Sequence, residues 1–202
     1  MNSVHFIALD DFGLAVSERF AMHHRIALAG LDDALKPASW PRSDCQVVAG
    51  QREHPALFEM IDEMAFALDR PWVSVLLEPR SLRVGPVITP KVSPCYQCFI
   101  RRQHQHGRRT ATDAELGDIL NADLSVAHSG FLPAHATLAS RLVDRLLRAS
   151  EPTAREMPHL FRVGFAELNI SESHLLGVHG CARCAPQESP TSSWNSLASL
   201  LQ

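Results

Sequence analysis

The stretch Val4-His5-Phe6-Ile7-Ala8-Leu9-Asp10-Asp11-Phe12-Gly13 decides the fold class. Its first six residues form a mostly apolar run with no turn former, the pattern of a buried strand, and Asp10-Asp11-Phe12-Gly13 turns that strand into a helix expected from Leu14 to about His24. Strand, glycine-containing turn and helix in this order open a Rossmann-type unit. A nucleotide-binding unit needs several glycines, so that amides at the helix N-terminus can approach phosphates. Gly13 is the only glycine in this turn, and Asp10 and Asp11 would repel a phosphate. The turn is therefore expected to be a plain one with Asp as helix cap, in a chain that binds no ATP.

Moving outward, Arg25–Ala29 and Cys45–Ala49 are expected strands, with Asp32 to Ser43 as connection and Cys45 as a small buried apolar residue. His54-Pro55 opens a helix running to residue 68, striped by Leu57, Ile61, Met64, Ala65 and Leu68, and Trp72–Leu77 is a further strand. Strand, helix and strand with short links predict a parallel crossover, so the first 80 residues form an α/β sheet. Leu82-Arg83-Val84-Gly85-Pro86-Val87-Ile88-Thr89-Pro90 follows as a strand interrupted by Gly-Pro, leading straight to Pro94-Cys95-Tyr96-Gln97-Cys98.

That Cys-x-x-Cys has a counterpart in Gly180-Cys181-Ala182-Arg183-Cys184. Each places two sulfurs on one tight turn, and two such turns supply four thiolates for tetrahedral zinc. A disulfide reading competes, but the N-terminus shows no signal-peptide pattern and no run is long enough to span a bilayer, which points to the cytoplasm and to metal. Four thiolates leave no open coordination position, so a zinc held by Cys95, Cys98, Cys181 and Cys184 would cross-link rather than catalyse. It would close a separation of about 85 residues, a large constraint on the unfolded chain.

Beyond the first knuckle, the basic segment Arg101 to Arg109 is expected to be a solvated face, and Thr112 begins a capped helix whose apolar face includes Leu124. A longer helix from Pro133 to Ala149 would turn Leu138, Leu142, Leu146 and Leu147 inward and line Arg141, Arg145 and Arg148 on another side. Phe161, Val163 and Phe165 alternate in a half-buried strand continuing towards Ile170, Ser171–Ser173 is turn-like, and Leu175–Val178 is a returning strand that ends at the second knuckle. Each knuckle is thus expected at the end of a strand. The 202 residues, 46 % of them hydrophobic, suffice for a real core. The net charge of −3 argues against a nucleic-acid binder, and the eleven histidines are scattered without a ligand pattern.

Asp44–Val48, the helix 54–68, Pro71-Trp72-Val73, Leu82–Val87 with Pro90, Cys95–Cys98 with Arg101, and His179–Cys184 together resemble the ThiF-like (ubiquitin-activating-enzyme-like) cyclodehydratase partner proteins of thiazole/oxazole-modified microcin biosynthesis. The resemblance covers roughly residues 4 to 185. It implies a degenerate Rossmann-like ThiF-type sheet, with a tetra-cysteine zinc site clipping a C-terminal β-hairpin to the middle of the chain. Residues 1–80 would be the Rossmann-like half, 81–185 the zinc-stapled half of the same globular unit, and 186–202 a flexible tail whose Trp194, Leu197, Ala198 and Leu201 share one face.

In function, the resemblance implies a non-catalytic scaffold or activator in a complex that modifies a ribosomally made peptide. The partners it implies are a YcaO-like ATP-dependent cyclodehydratase, a second ThiF-like chain or homodimer, the precursor peptide held directly or through a partner, and a flavin dehydrogenase, with no membrane and no nucleic acid. No winged-helix leader-recognition domain, often fused to such proteins, is expected before Val4, and no catalytic or nucleotide-contacting residue is expected to carry over. The alternatives are an active adenylating enzyme of the ThiF type and a zinc adaptor whose segment 101–109 binds nucleic acid.

Overall fold

The computed structural model of the chain describes residues 3–107, 130–149 and 160–184. The helix expected from Thr112 to Leu124, Arg108 and Arg109 of the basic segment, and the tail 186–202 lie outside them.

The chain runs β1 (Val4–Ala8), α1 (Asp11–Ala21), β2 (Ile26–Ala29), α2 (Leu31–Ala34), a 3-10 turn (Pro37–Ser39), β3 (Cys45–Gly50), α3 (Pro55–Leu68), β4 (Trp72–Glu78), β5 (Ser81–Ile88), α4 (Tyr96–Gln105), α5 (Pro133–Ala149), β6 (Leu160–Gly164) and β7 (Asn169–Ser173). One seven-stranded sheet has the order β2-β1-β3-β4-β5-β6-β7. β2, β1, β3 and β4 run parallel to one another, as the strand and helix alternation predicts, and β5, β6 and β7 continue the sheet antiparallel. The sheet therefore runs without a break from the first half of the chain into the second.

Both faces of the sheet are covered, which is why its central strands are apolar runs rather than alternating patterns. Phe6, Val47, Val75 and Phe161 point to the face that α1 and α5 cover. Ile7, Val48, Trp72 and Leu76 point to the other, packed with side chains of α2, α3 and α4. On α3, Leu57, Ile61 and Ala65 are buried as expected, Phe58 joins them with no exposure, and Leu68 is exposed at the helix end. Trp72 and Phe58 meet edge to face, and each fully buried ring contributes roughly 1.5–3 kcal/mol through the area it removes from water.

Several expectations are corrected. α1 starts at Asp11 rather than Leu14, because Asp10 caps it, and the connection 32–43 contains α2 and the 3-10 turn. β5 is one strand from Ser81 to Ile88, and its pairing with β4 is interrupted at Gly85-Pro86, whose peptide is cis: the register passes from Val73↔Val87 to Val75↔Val84. The freed Gly85 carbonyl accepts from Ser74 Oγ at 2.7 Å and from Arg83 Nη1 at 3.1 Å. The C-terminal hairpin closes at Leu168, in the left-handed region (φ 49°), so the segment read as a turn, Ser171–Ser173, is in β7, and Leu175–Val178 is not a strand. The backbone of that segment is instead held by Arg102, which donates to Leu176 O at 3.3 Å and Gly177 O at 2.7 Å.

Candidate metal centre

Neither knuckle stands at a strand end. β5 stops at Ile88, a turn through Thr89–Ser93 follows, and Cys95 is the N-cap of α4, so Cys95 and Cys98 share the first turn of a helix. Cys181 and Cys184 sit on a tight turn entered through Gly180, whose positive φ of 69° suits glycine, and Cys181 N–H donates to Val178 O.

These two turns face each other. The four sulfurs all lie within 4.8 Å of one another, with Cys95 to Cys181 at 3.6 Å and Cys98 to Cys184 at 3.4 Å. Four sulfurs at about 2.3 Å from a tetrahedral zinc are about 3.8 Å apart, so the cluster has nearly the size of a zinc cage. All five cysteines are free thiols, and Cys45 lies buried on β3, outside the cluster, as its sequence context suggests. Cys95, Cys98 and Cys181 are buried against Phe66 and Val178, and the Val178 amide donates to Cys98 Sγ at 3.3 Å. Such amide-to-sulfur bonds favour thiolate over thiol.

Titration within the cluster is uneven. Burial pushes Cys95 far up, and it raises Cys184 to about 11. Burial works the same way on Cys181, but amides of Cys184 and Arg183 and the neighbouring thiols hold it down to about 6. A cation entering the cage would therefore displace protons from thiols that burial keeps neutral.

The residues inside the knuckles hold them to α3. Arg183 Nη1 donates to Asp62 at 2.6 Å, and its Nη2 donates to Glu59 at 2.6 Å and to Glu63 at 3.0 Å. From the first knuckle, Gln97 Nε2 donates to the same Glu59 oxygen at 2.8 Å. Asp62 is completely buried and also accepts from Trp72 Nε1 at 3.0 Å. Burial pushes its carboxyl above the ordinary range even with Arg183 and Trp72 bonded to it. Sequence reasoning missed this clamp. The available signal was Asp62, an acid flanked by Phe58, Ile61 and Ala65 on the apolar face of a helix.

At the strand-to-helix turn, Asp10 caps α1 as expected. One of its oxygens accepts from the Gly13 amide at 3.0 Å and the other from the Gln51 amide. A Cβ at Gly13 would fall 2.3 Å from Ala49 O, so this glycine answers to the close approach of α1 and β3. On β5, buried Arg83 joins Glu53 at 2.9 Å and Glu78 at 3.1 Å, Glu78 also pairs with Arg162, and the Arg83 guanidinium stacks over Phe99. The arginines of α5 are exposed as expected, Arg145 paired with Glu172 and Arg148 with Asp144. No helix of the described residues is long and apolar enough to cross a membrane.

No protein-family model and no curated protein matches the chain. Solved structures do. The heterocyclase TruD superposes with a TM-score of 0.61 at 17 % identity, over 91 % of this chain and 27 % of that one. A chain of the E. coli microcin synthetase McbBCD complex gives 0.62 at 13 % identity, over 90 % and 67 %. E. coli MccB, in a structure with MccA, gives 0.57 at 12 % identity, over 91 % and 59 %. The chain thus spans about a quarter of the TruD chain and about three fifths of MccB. At these identities the likeness is one of fold, and it is a likeness to heterocyclase and microcin-synthetase components, the group to which the sequence resemblance pointed.

Proposed function

We propose that this chain is a non-catalytic, ThiF-like scaffold or activator subunit of a cytoplasmic complex that modifies a ribosomally made peptide. In this reading a YcaO-type ATP-dependent cyclodehydratase closes Cys, Ser or Thr side chains onto the peptide backbone, and this chain organises that partner and the precursor peptide. The fold shared with heterocyclase and microcin-synthetase chains supports the system.

The observation that carries the non-catalytic part is Asp10. In a parallel α/β sheet, phosphates bind where the first strand turns into the first helix, on free amides at the helix N-terminus. Here two amides at that place, of Gly13 and Gln51, are taken by one carboxylate of the chain itself. A phosphate would have to displace an anion that the fold holds covalently in place.

The four cysteines fit zinc by donor type, number and spacing. Bound there, zinc would supply a cross-link between α4 and the Cys181–Cys184 turn. The chain's own Arg183 and Gln97 then transmit that constraint to α3 through Glu59 and Asp62.

Calorimetric titration of the isolated chain with ATP and magnesium is expected to show no binding. Addition of the chain to a YcaO-type cyclodehydratase, a Cys/Ser/Thr-rich peptide and ATP is expected to raise the rate of water loss from the peptide, followed by mass spectrometry. ATP binding, or pyrophosphate exchange by the isolated chain, would overturn the reading in favour of an adenylating enzyme.

A further inference from the structure

We infer that Cys184 is an oxidation site for small disulfides of the glutathione class, and that Cys98 resolves the product into a Cys98–Cys184 disulfide joining the two knuckles without metal. The inference concerns the chain's own thiols and does not depend on the proposed function.

Access singles out one sulfur. Cys95, Cys98 and Cys181 are buried, and Cys184 alone of the four is partly exposed. Cys45 is buried on β3, so no other cysteine of the chain meets solvent. Thiol–disulfide exchange needs a sulfur that the incoming disulfide can reach, and it therefore begins at Cys184.

Contact singles out the second sulfur. Cys98 Sγ lies 3.4 Å from Cys184 Sγ, and Cys95 Sγ lies 3.6 Å from Cys181 Sγ, so both contacts run between the knuckles. A disulfide bond is about 2.05 Å long, and two sulfurs already in van der Waals contact reach that length by side-chain rotation. The Val178 amide, 3.3 Å from Cys98 Sγ, fixes that sulfur on the side of the second knuckle.

Bonds that involve no sulfur keep the two turns opposed. Arg183, beside Cys184, is tied to Asp62 and Glu59 of α3, and Gln97, beside Cys98, is tied to the same Glu59. One turn further along α4, Arg102 holds the carbonyls of Leu176 and Gly177, which lead into the second knuckle. Cys98 and Cys184 therefore face each other through the fold itself, whether or not a metal lies between them.

The Cys184 thiolate attacks one sulfur of glutathione disulfide, which forms a Cys184–glutathione bond and expels one glutathione thiolate. The Cys98 thiolate then attacks the Cys184 sulfur, which forms the Cys98–Cys184 bond and expels the second glutathione thiolate. Two cysteine thiolates lose two electrons, and one glutathione disulfide gains them. Cys95 and Cys181, both buried, stay reduced. The cage loses two of its four ligands and with them its hold on zinc, while a covalent bond closes the same separation along the chain.

The test is peptide mapping of the native full chain after exposure to glutathione disulfide, with the remaining thiols alkylated. Chymotrypsin cuts after Tyr96 and trypsin after Arg183, so together they place the two cysteines of each knuckle on separate peptides. Mass spectrometry is expected to find Cys98 joined to Cys184, and Cys95 and Cys181 alkylated. Cys98→Ser is expected to stop the reaction at one glutathione on Cys184, and Cys184→Ser to slow consumption of glutathione disulfide about tenfold. The oxidised chain, freed of metal, is expected to melt above the reduced metal-free chain, and dithiothreitol to abolish the difference. A link within either knuckle, a first link at Cys95 or Cys181, or no disulfide at all each overturns the inference. So does an oxidised chain that melts no higher than the reduced one. Mapping of the parent chain decides the pairing even where a serine variant fails to fold.

Discussion

Arg183 lies between Cys181 and Cys184 in sequence, yet its guanidinium rests 2.6 Å from Asp62, a carboxylate with no solvent exposure on α3, 121 positions earlier. The cysteine cluster and this ion pair are consecutive links of one structure. The sulfurs join α4 to the second knuckle, and Arg183 joins that knuckle to α3 and, through Asp62 and Trp72, to β4.

Removing one member of a buried pair leaves the other charge uncompensated, which costs about 3–5 kcal/mol. Arg183→Ala is therefore expected to destabilise the chain by about that much, since it strips Asp62 of its cation while Glu59 keeps only Gln97. R183A/D62A is expected to be less destabilised than the sum of the single changes. Urea unfolding of the four proteins checks both statements, and additive losses would show that the contact carries no coupling.

The legibility of this chain follows from where apolar side chains sit. β1, β3 and β4 are buried on both faces, so each appears in the sequence as an apolar run, and α3 carries its stripe openly. β7 has no such signal, because every one of its side chains is exposed, and its pairing with β6 is fixed by the hairpin alone. The apolar run Leu175–Val178 misleads for the opposite reason. Leu175 is buried under α4, but the backbone beside it bonds to the Arg102 side chain rather than to a strand. The four cysteines were legible because metal-ligand spacing is local, whereas the partners of Arg183 lie on a helix that only folding brings near.

Zinc analysis of protein purified without added metal is expected to find a single tightly held zinc. Thiolates bind the metal in competition with protons, so retention is expected to fall as pH falls, and Cys95→Ser or Cys181→Ser is expected to release it at neutral pH. Chelation should lower the thermal midpoint of the native chain and leave that of the serine variants unchanged. An equal effect on both would place the metal elsewhere.

The turn at Asp10 separates two kinds of loss. Asp10→Ala removes the acceptor for two amides and is expected to cost about 1–2 kcal/mol, the upper part of the range for a helix cap. Gly13→Ala leaves the cap but forces α1 away from Ala49 O, an overpacking cost of about 1–3 kcal/mol. Denaturant midpoints measure both. Gly13→Ala is not expected to create ATP binding. Asp10→Ala frees the two amides but still lacks a glycine-rich cradle, so it is expected to gain at most weak binding, and calorimetric titration showing tight ATP binding by that variant would mean that Asp10 alone keeps phosphate out.

Glu78 supplies a pH dependence whose sign is fixed by its neighbours. Burial alone would raise its pKa, but Arg83 at 3.1 Å, the Arg162 guanidinium and Ser81 Oγ at 2.7 Å together hold it below its ordinary value of 4.5. The carboxylate is thus stronger as an acid in the folded chain than in the unfolded one. Its contribution is fully present above the unfolded pKa and is lost as pH falls through the lower, folded one. Glu78→Gln is accordingly expected to be less stable than the parent at neutral pH, with the difference shrinking below about pH 4.5 as the parent protonates. Urea midpoints of both proteins across that range test it. A difference that stays constant into acid would mean that the two arginines are held by packing, and that the charge of Glu78 does not hold the antiparallel half of the sheet together.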